Sequence, residues 1–505
     1  MKRLSLFFKK YWPIIIISAF ALFLRIYRIS DYMTFLGDEG RDALVWLRMS
    51  RGKFTLIGPQ TSIGNMYLGP LFYYLMFPFY LTFGAVGPSL GTAFFGGATT
   101  FLLWRAARSW FSERLGLLSA FLYAISPVAI VLSRSAWNPN IMPFFALLSV
   151  WGVWRIWKEN DFLWLPVLGF TLSAVFQSHY LGLLLFPAVG LFILLKLISI
   201  FKKNNPQRKK YVLLTFLSIF LFFFFSIVPL VWFDLRHDFL NLKAFGRFFF
   251  EGESSLNFYF PDIFLKTWLN WKTLFSRLLT GKDETFGLIF SLISLFLLIL
   301  IFILSFKTKK WAKEKQPLFL LIVWIFFGLI GLSLYKYQIY DHYFGFLFPA
   351  VFIVGALIID FLWRLSLPAK VFSLILFILI VIYSFKENPL GYPPNFQYVR
   401  TKKISEKIAE IVGKDSFNLG MIAKRNHDAG YRYFLELWRT NLRTIDAQKA
   451  NETITEQLFV ICEDKECEPI NHPQAEIASF GWAKIEEQWV FPWGTKLFKL
   501  AHVVK

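Results

Sequence analysis

The stretch that decides the fold is the N-terminal one, "MKRLSLFFKKYWPIIIISAFALFLRIY", residues 1–27. Cations at its start are followed by about eighteen apolar residues, which is the length that an α-helix needs to cross the hydrocarbon core of a bilayer. No small-residue cleavage site follows the apolar run. We therefore predict an uncleaved first membrane span and not a removed signal peptide.

The same apolar pattern recurs along the whole chain. Hydrophobic residues make up 56% of the 505 residues, and the mean hydropathy is +0.50, which excludes an ordinary soluble protein. Repeated runs of this kind predict an all-α, multi-span membrane protein. The apolar segments lie near 12–29, 70–84, 88–104, 115–132, 140–157, 163–178, 180–200, 211–233, 286–306, 317–334, 343–363 and 370–385.

The net charge of +21 has an explanation in this topology. In a soluble protein it would indicate nucleic acid as a partner. Here the basic clusters at 202–210 and 307–315 lie between apolar runs, as cytoplasmic loops do. No basic module with interleaved aromatic residues is present, so nucleic-acid binding is not expected.

The basic segments also fix the number of crossings. The N-terminus and the segments 105–114, 202–210 and 307–315 should all be cytoplasmic. Twelve crossings would put one of them outside, whereas about eleven satisfy every one. We predict that 70–84, which Pro78 interrupts, lies on or dips into the outer face; the alternative is a hairpin of two spans at 68–104.

We predict two domains in a multi-pass protein of the plasma (inner) membrane. Residues 1–385 form the transmembrane domain, with outer loops at 30–87 and 234–285, the second carrying an amphipathic helix at the interface. Residues 386–505 form a small extracytoplasmic α/β domain. In it, "ISEKIAEIV" (404–412) and 428–438 are predicted helices, and "FNLGMIA" (417–423) and "LFVICE" (458–463) are predicted strands.

The two cysteines, Cys462 and Cys467, both lie in the predicted outer domain. A local disulfide and two free thiols are both compatible with their spacing.

The stretch "FLGDEGRDALVWLRM", Phe35 to Met49, carries the most informative polar residues. Asp38 and Glu39 are adjacent acids in a basic chain, just beyond the first span. A solvated loop or a helix N-terminus that favours acids is the alternative reading. The predicted topology gathers further polar groups on the same outer face, where such groups are usually paired or functional. They are Arg134, Asn138, Gln177, His179, Asp341 and His342.

The motif "DEGRDALVWLRM", followed by "GKF" and later "GPLFYYL", resembles the first outer loop of polyprenyl-phosphate-dependent glycosyltransferases of the GT-C superfamily. The closest likeness is to the branch of protein O-mannosyltransferases and lipid A aminoarabinose transferases. The aminoarabinose transferases usually have an acid and a Lys before the Pro, where this chain has Leu68 and Gly69 before Pro70. The substrates of that branch are therefore not carried over. The matching positions are Asp38, Glu39, Arg41, Ala43, Arg48, Met49, Gly52, Pro70, Leu71, Tyr73 and Tyr74.

The resemblance implies a membrane glycosyltransferase that moves a sugar from a polyprenyl-phosphate donor to a glycan, lipid or protein acceptor. Asp38 is the first candidate and Glu39 the second for the base that deprotonates the acceptor hydroxyl. Cations near the leaving phosphate would stabilise its charge. His342 and Tyr343 stand where the family has a basic residue and a Tyr associated with lipid phosphate. The candidate substrate-binding residues are Arg41, Arg48, Asn65, Tyr73, Arg134, Asn138, Gln177, His179, Asp341, His342 and Tyr343.

Two alternatives and one cofactor question stay open at this level. A transporter or lipid flippase would carry charges deep within several spans and repeat-related halves, neither of which is evident. A non-catalytic scaffold would tolerate loss of both Asp38 and Glu39. A single acidic pair offers too few ligands to argue for a divalent ion, and no other cofactor is indicated.

Overall fold

The computed structural model describes residues 2–61, 66–202, 206–247, 256–281, 283–464 and 466–503. Contacts divide the chain into two compact units. The helical unit comprises Met1–Tyr27, Thr55–Thr82 and Gly87–Pro393, and the mixed unit comprises Arg28–Phe54, Phe83–Val86 and Pro394–Lys505. The sequence-based division at residue 385 stays a prediction.

Helices dominate the described chain. They are α1 (Lys2–Ile26), α2 (Ile29–Tyr32), α3 (Gly37–Ser50), α4 (Leu71–Phe83), α5 (Gly87–Trp110), α6 (Glu113–Ile125), α7 (Pro127–Leu132), α8 (Met142–Glu159), α9 (Trp164–Ser178), α10 (Phe186–Lys202), α11 (Arg208–Ser226), α12 (Val228–Asp234), α13 (Leu240–Gly246), α14 (Phe260–Leu279), α15 (Glu284–Lys307), α16 (Lys315–Ser333), α17 (Phe348–Trp363), α18 (Leu367–Lys386), α19 (Gln397–Val412), α20 (Ala429–Leu437), α21 (Ala450–Thr453) and α22 (Ala475–Phe480).

Seven helical runs in the described ranges are long and apolar enough to cross a membrane. Helix α17 is buried at every residue from Phe348 to Leu362, so the other helices of the unit pack around it. The predicted class, a helical multi-span membrane protein with a small C-terminal sheet, is confirmed. The seven runs are Leu71–Trp110, Tyr180–Lys202, Arg208–Asp234, Glu284–Lys307, Ala312–Ser333, Asp341–Trp363 and Leu367–Lys386.

The segment predicted to lie at the outer face forms α4, with Pro78 inside the helix. A short 3₁₀ turn at Gly84–Val86 separates α4 from α5, and Gly84 has φ +58°, which a glycine adopts without strain. Gly87 then lets α5 start directly against the backbone of Phe79. The count of eleven crossings and the position of α4 in the bilayer stay predictions.

The long loop at 234–285 contains α13 and α14 within the described residues. One face of α14 buries Trp271, Leu274 and Phe275, while Phe260 and Phe264 are exposed. The helix therefore has an inner apolar face and aromatic residues at its N-terminal end that are free to meet lipid.

The mixed unit contains a four-stranded sheet of order β1-β2-β4-β3. The strands are β1 (Asn418–Ile422), β2 (Gln457–Cys462), β3 (Ala483–Val490) and β4 (Lys496–His502). β1 and β2 are parallel, while β2–β4 and β4–β3 are antiparallel. The predicted helices and strands over 404–463 are confirmed; β3 and β4 were not predicted.

Two apolar layers hold the sheet. On one face, Ile404 and Ile408 of α19 pack with Phe459 of β2. On the other face, Ile477 and Phe480 of α22 pack with residues that include Val460 and Leu500. Cys462 at the end of β2 is disulfide-bonded to Cys467.

The segment that carries the acidic pair belongs to the mixed unit. The backbone N–H of Phe35 donates to Gln397 Oε1 at 3.0 Å, and the ring of Phe35 contacts Tyr398, Tyr433 and Phe434. The N-terminal turn of α3 is thus anchored on α19 and α20, more than 350 residues further along the chain.

Candidate functional site

Asp38 lies in the first turn of α3, where the helix dipole favours a negative charge. Its side chain is 53% exposed, and its Oδ1 accepts a hydrogen bond of 2.9 Å from Arg41. An exposed carboxylate in this position is open to a substrate hydroxyl.

Glu39 has a different environment one residue later. It is only 8% exposed, and its Oε2 accepts the backbone N–H of Leu36 at 3.1 Å. Burial raises the pKa of Glu39 to about 7; the backbone hydrogen bonds oppose this shift, and the nearby Asp38 and Asp42 add to it.

Asp42 is a third acid of the motif that the sequence reading did not single out. It is fully buried, and its Oδ1 accepts from Arg41 through Nε at 3.0 Å and Nη2 at 2.9 Å. Arg41 therefore bridges Asp38 and Asp42, and its charge is committed to the site's own carboxylates. The spacing of four residues between the two Asp was the available signal, because it places them on one helix face.

Helix α20 packs closely behind α3. A Cβ on Gly40 would overlap the backbone of Ala429 and Gly430, and a Cβ on Gly37 would overlap the ring of His427. Further along, Arg48 lies 3.4 Å from Glu436. The glycines of "GDEG" thus allow the acidic turn to sit directly on the C-terminal part of the chain.

The raised pKa of Glu39 predicts a pH-dependent stability. Because the folded protein binds this proton more tightly than an unfolded Glu with a pKa of 4.5, the contribution is fully present below about pH 4.5. It falls away as the pH rises through about 7, with an upper limit of about 3 kcal/mol. Thermal unfolding of the detergent-solubilised protein should show this loss, and Glu39→Gln should lack it. Identical pH profiles for the two proteins would contradict the assignment.

In the helical unit, the predicted residues His179, His342 and Tyr343 lie together with three further aromatic residues in a group here named the aromatic cluster. It consists of Trp137, His179, Tyr335, Tyr340, His342 and Tyr343. The His342 ring lies 4.3 Å from Trp137 and 4.5 Å from Tyr343, and the His179 ring lies 4.7 Å from Tyr343. His179 Nδ1 accepts the backbone N–H of Leu181, so its other nitrogen carries the proton.

Asp341 has an ion-pair partner in this unit. Its two carboxylate oxygens accept from Arg277 Nε at 3.1 Å and Nη2 at 2.5 Å. Arg277 comes from α14, so the pair joins the long loop to the turn that precedes α17. This bidentate ion pair holds the Arg277 guanidinium beside the segment that contains His342 and Tyr343.

Several other candidate residues bond to the protein backbone. Arg134 donates to the carbonyls of Leu24 and Tyr27, both at 2.7 Å, and so caps the C-terminal turn of α1. Asn138 donates to the carbonyl of Ser178 at 2.6 Å. These contacts support structural roles, and the substrate-binding roles stay predictions.

Gln177 and Tyr73 are also buried in the helical unit. Gln177 accepts the backbone N–H of Leu71 at 3.0 Å and donates to the carbonyl of Phe225 at 2.9 Å, which ties α4 to α9 and α11. Asn65 lies outside the described residues.

An apolar cavity of about 580 Å³ lies beside α4 in the helical unit. It is bounded by the Thr55–Leu56 segment, by α4 and by the α11–α12 region, and its lining residues include Pro70, Tyr74, Phe224 and Trp232. The Tyr74 hydroxyl donates to the Thr55 carbonyl at 2.9 Å. A hydrocarbon chain is the ligand type that such a lining fits.

Among the described residues, no group of three or more His, Cys, Asp or Glu is arranged to hold a metal ion.

Residues 69–231, less than half of the chain, match the family model of dolichyl-phosphate-mannose-protein mannosyltransferases. No curated protein is similar to the sequence at a significant level.

Solved structures resemble the chain over nearly its whole length. ArnT from Cupriavidus metallidurans has a TM-score of 0.60 bound to undecaprenyl phosphate, at 12% identity, and 0.58 in the apo state, at 13%. In both cases 97% of this chain and 98% of ArnT are covered. The oligosaccharyltransferase AglB from Archaeoglobus fulgidus, in complex with an inhibitory peptide and a dolichol-phosphate, has a TM-score of 0.50 at 13% identity, with 90% and 70% covered. The resemblance to the GT-C superfamily is thereby confirmed at the level of the fold.

Proposed function

We propose that this protein is an integral-membrane glycosyltransferase that uses a polyprenyl-phosphate-linked sugar. The acceptor is a hydroxyl-bearing glycan, lipid or protein, and the reaction takes place at the outer face of the membrane. The family-model match and the fold shared with ArnT, which was solved with undecaprenyl phosphate, support the donor class.

One observation carries the proposal: the acidic turn of α3. Asp38 is exposed and bonded to Arg41, whereas the adjacent Glu39 is buried and has a raised pKa. We assign the acceptor-deprotonating base to Asp38, because a base must come within hydrogen-bond reach of the hydroxyl. We assign Glu39 to positioning, since its carboxylate accepts the Leu36 N–H that starts the helix.

The lipid carrier needs a phosphate-binding group and a place for its chain. We propose that His342 and Tyr343 of the aromatic cluster donate hydrogen bonds to the phosphate, which must be stabilised as it leaves. The ion pair between Arg277 and Asp341, the residue before His342, holds this segment against α14. The apolar cavity beside Tyr74 suits the isoprenoid chain.

Replacing His342 with Ala should weaken donor binding, and it should also lower kcat because a hydrogen bond to the leaving phosphate strengthens as its charge develops. Loss of one donor to a charged oxygen corresponds to roughly a tenfold higher KM for the polyprenyl-phosphate sugar. Arg208→Gln, an exposed side chain that stacks on Phe201 and does not line the apolar cavity, serves as a control and should leave KM within about twofold. An unchanged KM in His342→Ala would remove His342 from the phosphate site.

The function itself is tested by transfer from a panel of radiolabelled polyprenyl-phosphate sugars. Purified protein is incubated with each donor and with lipid-linked glycan, lipid or Ser/Thr-peptide acceptors, and the label that moves to acceptor is counted. Transfer from at least one lipid-linked donor, and none from nucleotide sugars, is expected. A protein that moves the lipid between leaflets with its sugar bond intact would instead be a flippase.

A further inference from the structure

A second cavity, of about 570 Å³, lies at the end of the helical unit that carries the basic segment 105–114. Its apolar wall is formed by α1 and α5, where Ile15 and Phe101 are 37% and 49% exposed. Trp151 of α8 closes another side. This cavity is separate in sequence from every residue assigned above to transfer.

Two arginines of α5 line the same cavity, and they differ in their partners. Arg108 forms an ion pair of 2.6 Å with Glu113, so its charge is balanced. The Arg105 guanidinium stacks on Trp151 at 5.4 Å, and no carboxylate of the described side chains pairs with it. The cavity therefore has one net positive charge at its rim, besides the nearby Lys10 on the ring of Tyr11.

The indole of Trp151 adds a hydrogen-bond donor. Its Nε1 atom is buried and has no hydrogen-bond partner among the described residues. A buried donor without a partner is costly, and a ligand oxygen in the cavity would satisfy it. By contrast, the Nε1 of Trp104, also in the lining, already donates to Glu113 at 2.8 Å.

We propose that this cavity binds an anionic phospholipid, with one acyl chain along Ile15 and Phe101 and the headgroup phosphate at Arg105 and Trp151. Apolar wall and cationic rim match the two halves of such a lipid, and the unbalanced charge selects an anionic headgroup over a zwitterionic one. The location fits as well, because basic pockets between spans at the cytoplasmic side are where anionic headgroups collect. Arg105 is thus a lipid-binding residue and not one of the transfer site.

The proposal is tested by native mass spectrometry of the full chain with equal amounts of palmitoyl-oleoyl phosphatidylglycerol and phosphatidylcholine. The acyl chains are identical, so the ratio of the first lipid adducts reports the headgroup alone. One unbalanced arginine corresponds to about a fivefold preference for phosphatidylglycerol. Arg105→Gln should bring the ratio close to one. Trp151→Phe should lower the adducts of both lipids about threefold and leave their ratio unchanged, because both headgroups carry the phosphate that the indole N–H would meet.

Arg208→Gln is the matched control, because this exposed arginine also stacks on an aromatic ring, that of Phe201 at 4.7 Å, but lines neither cavity. It should keep the full preference. Excess inorganic phosphate should not displace the lipid, whereas displacement would show that the cavity is a site for free phosphate. Equal binding of the two lipids by the unmodified protein, or an unchanged ratio in Arg105→Gln, would overturn the proposal.

Discussion

Asp38→Asn is expected to lower kcat for sugar transfer by about 10²–10⁴-fold, with little change in KM for the donor. The amide has the same shape and can keep the hydrogen bond from Arg41, which lies at 2.9 Å in the unmodified protein. What it loses is the ability to take a proton. Initial rates with a saturating polyprenyl-phosphate sugar measure this loss directly.

Glu39→Gln distinguishes the two carboxylates. The amide oxygen can still accept the Leu36 N–H, so a positioning residue predicts a loss of about tenfold or less. If Glu39 were the base, Glu39→Gln would cause the large loss of kcat and Asp38→Asn the small one. Glu406→Gln is the control, since this carboxylate of α19 is half exposed and makes only a surface ion pair with Lys402. It should retain activity within about twofold.

A full rate in both Asp38→Asn and Glu39→Gln would show that the base is neither of these carboxylates. A large loss of the transfer rate in both variants, with intact donor binding, would instead indicate that the two carboxylates share the role of base. Binding of a radiolabelled donor, measured beside the rate, separates a chemical defect from a misfolded protein.

The spans could be predicted because hydropathy and span length are local properties of the sequence. The apolar segment 286–306 became α15, Glu284–Lys307, and the segment 370–385 became α18, Leu367–Lys386. In each case the bilayer sets the length of the run, and flanking charges set its ends.

Features that depend on distant partners could not be predicted. Arg134 looks like an exposed polar residue in the sequence, yet it caps carbonyls that lie 107 and 110 residues earlier. β3 was missed because "AKIEEQWV" does not alternate cleanly between apolar and polar residues; most of the strand is exposed, and its pairing partner in the sheet is β4.

The acidic motif could be predicted only in part. Its residue types and order were readable, and they pointed to a carboxylate site. The packing of this turn on α20 could not be predicted, because a glycine that faces a backbone leaves no signature in hydropathy. Gly40 and Gly430 are 390 positions apart in the sequence, and their close approach is a property of the folded mixed unit.

Because of this close approach, Gly40→Ala is expected to have a large effect on the transfer rate. The new Cβ would overlap the backbone N and Cα of Gly430, and backbone atoms cannot turn away as a side chain can. Forcing an extra carbon into a packed interface costs about 1–3 kcal/mol. The helix must shift to relieve it, and a displacement of about 1 Å at a reacting group can reduce the rate about 10²-fold. We therefore expect a large loss of transfer although Asp38 and Glu39 are both present.

Two glycine substitutions separate misplacement from a general effect of alanine. Gly430→Ala would place its Cβ 3.3 Å from side-chain atoms of Phe35 and Thr401, which can yield, so a milder loss is expected. Gly190→Ala in α10 meets nothing within 4 Å and should leave activity unchanged. Thermal unfolding of the three variants, read beside their initial rates, should rank Gly40→Ala as the most damaging in both. A Gly40→Ala protein as active and as stable as Gly190→Ala would mean that α3 does not depend on α20 to aim its carboxylates.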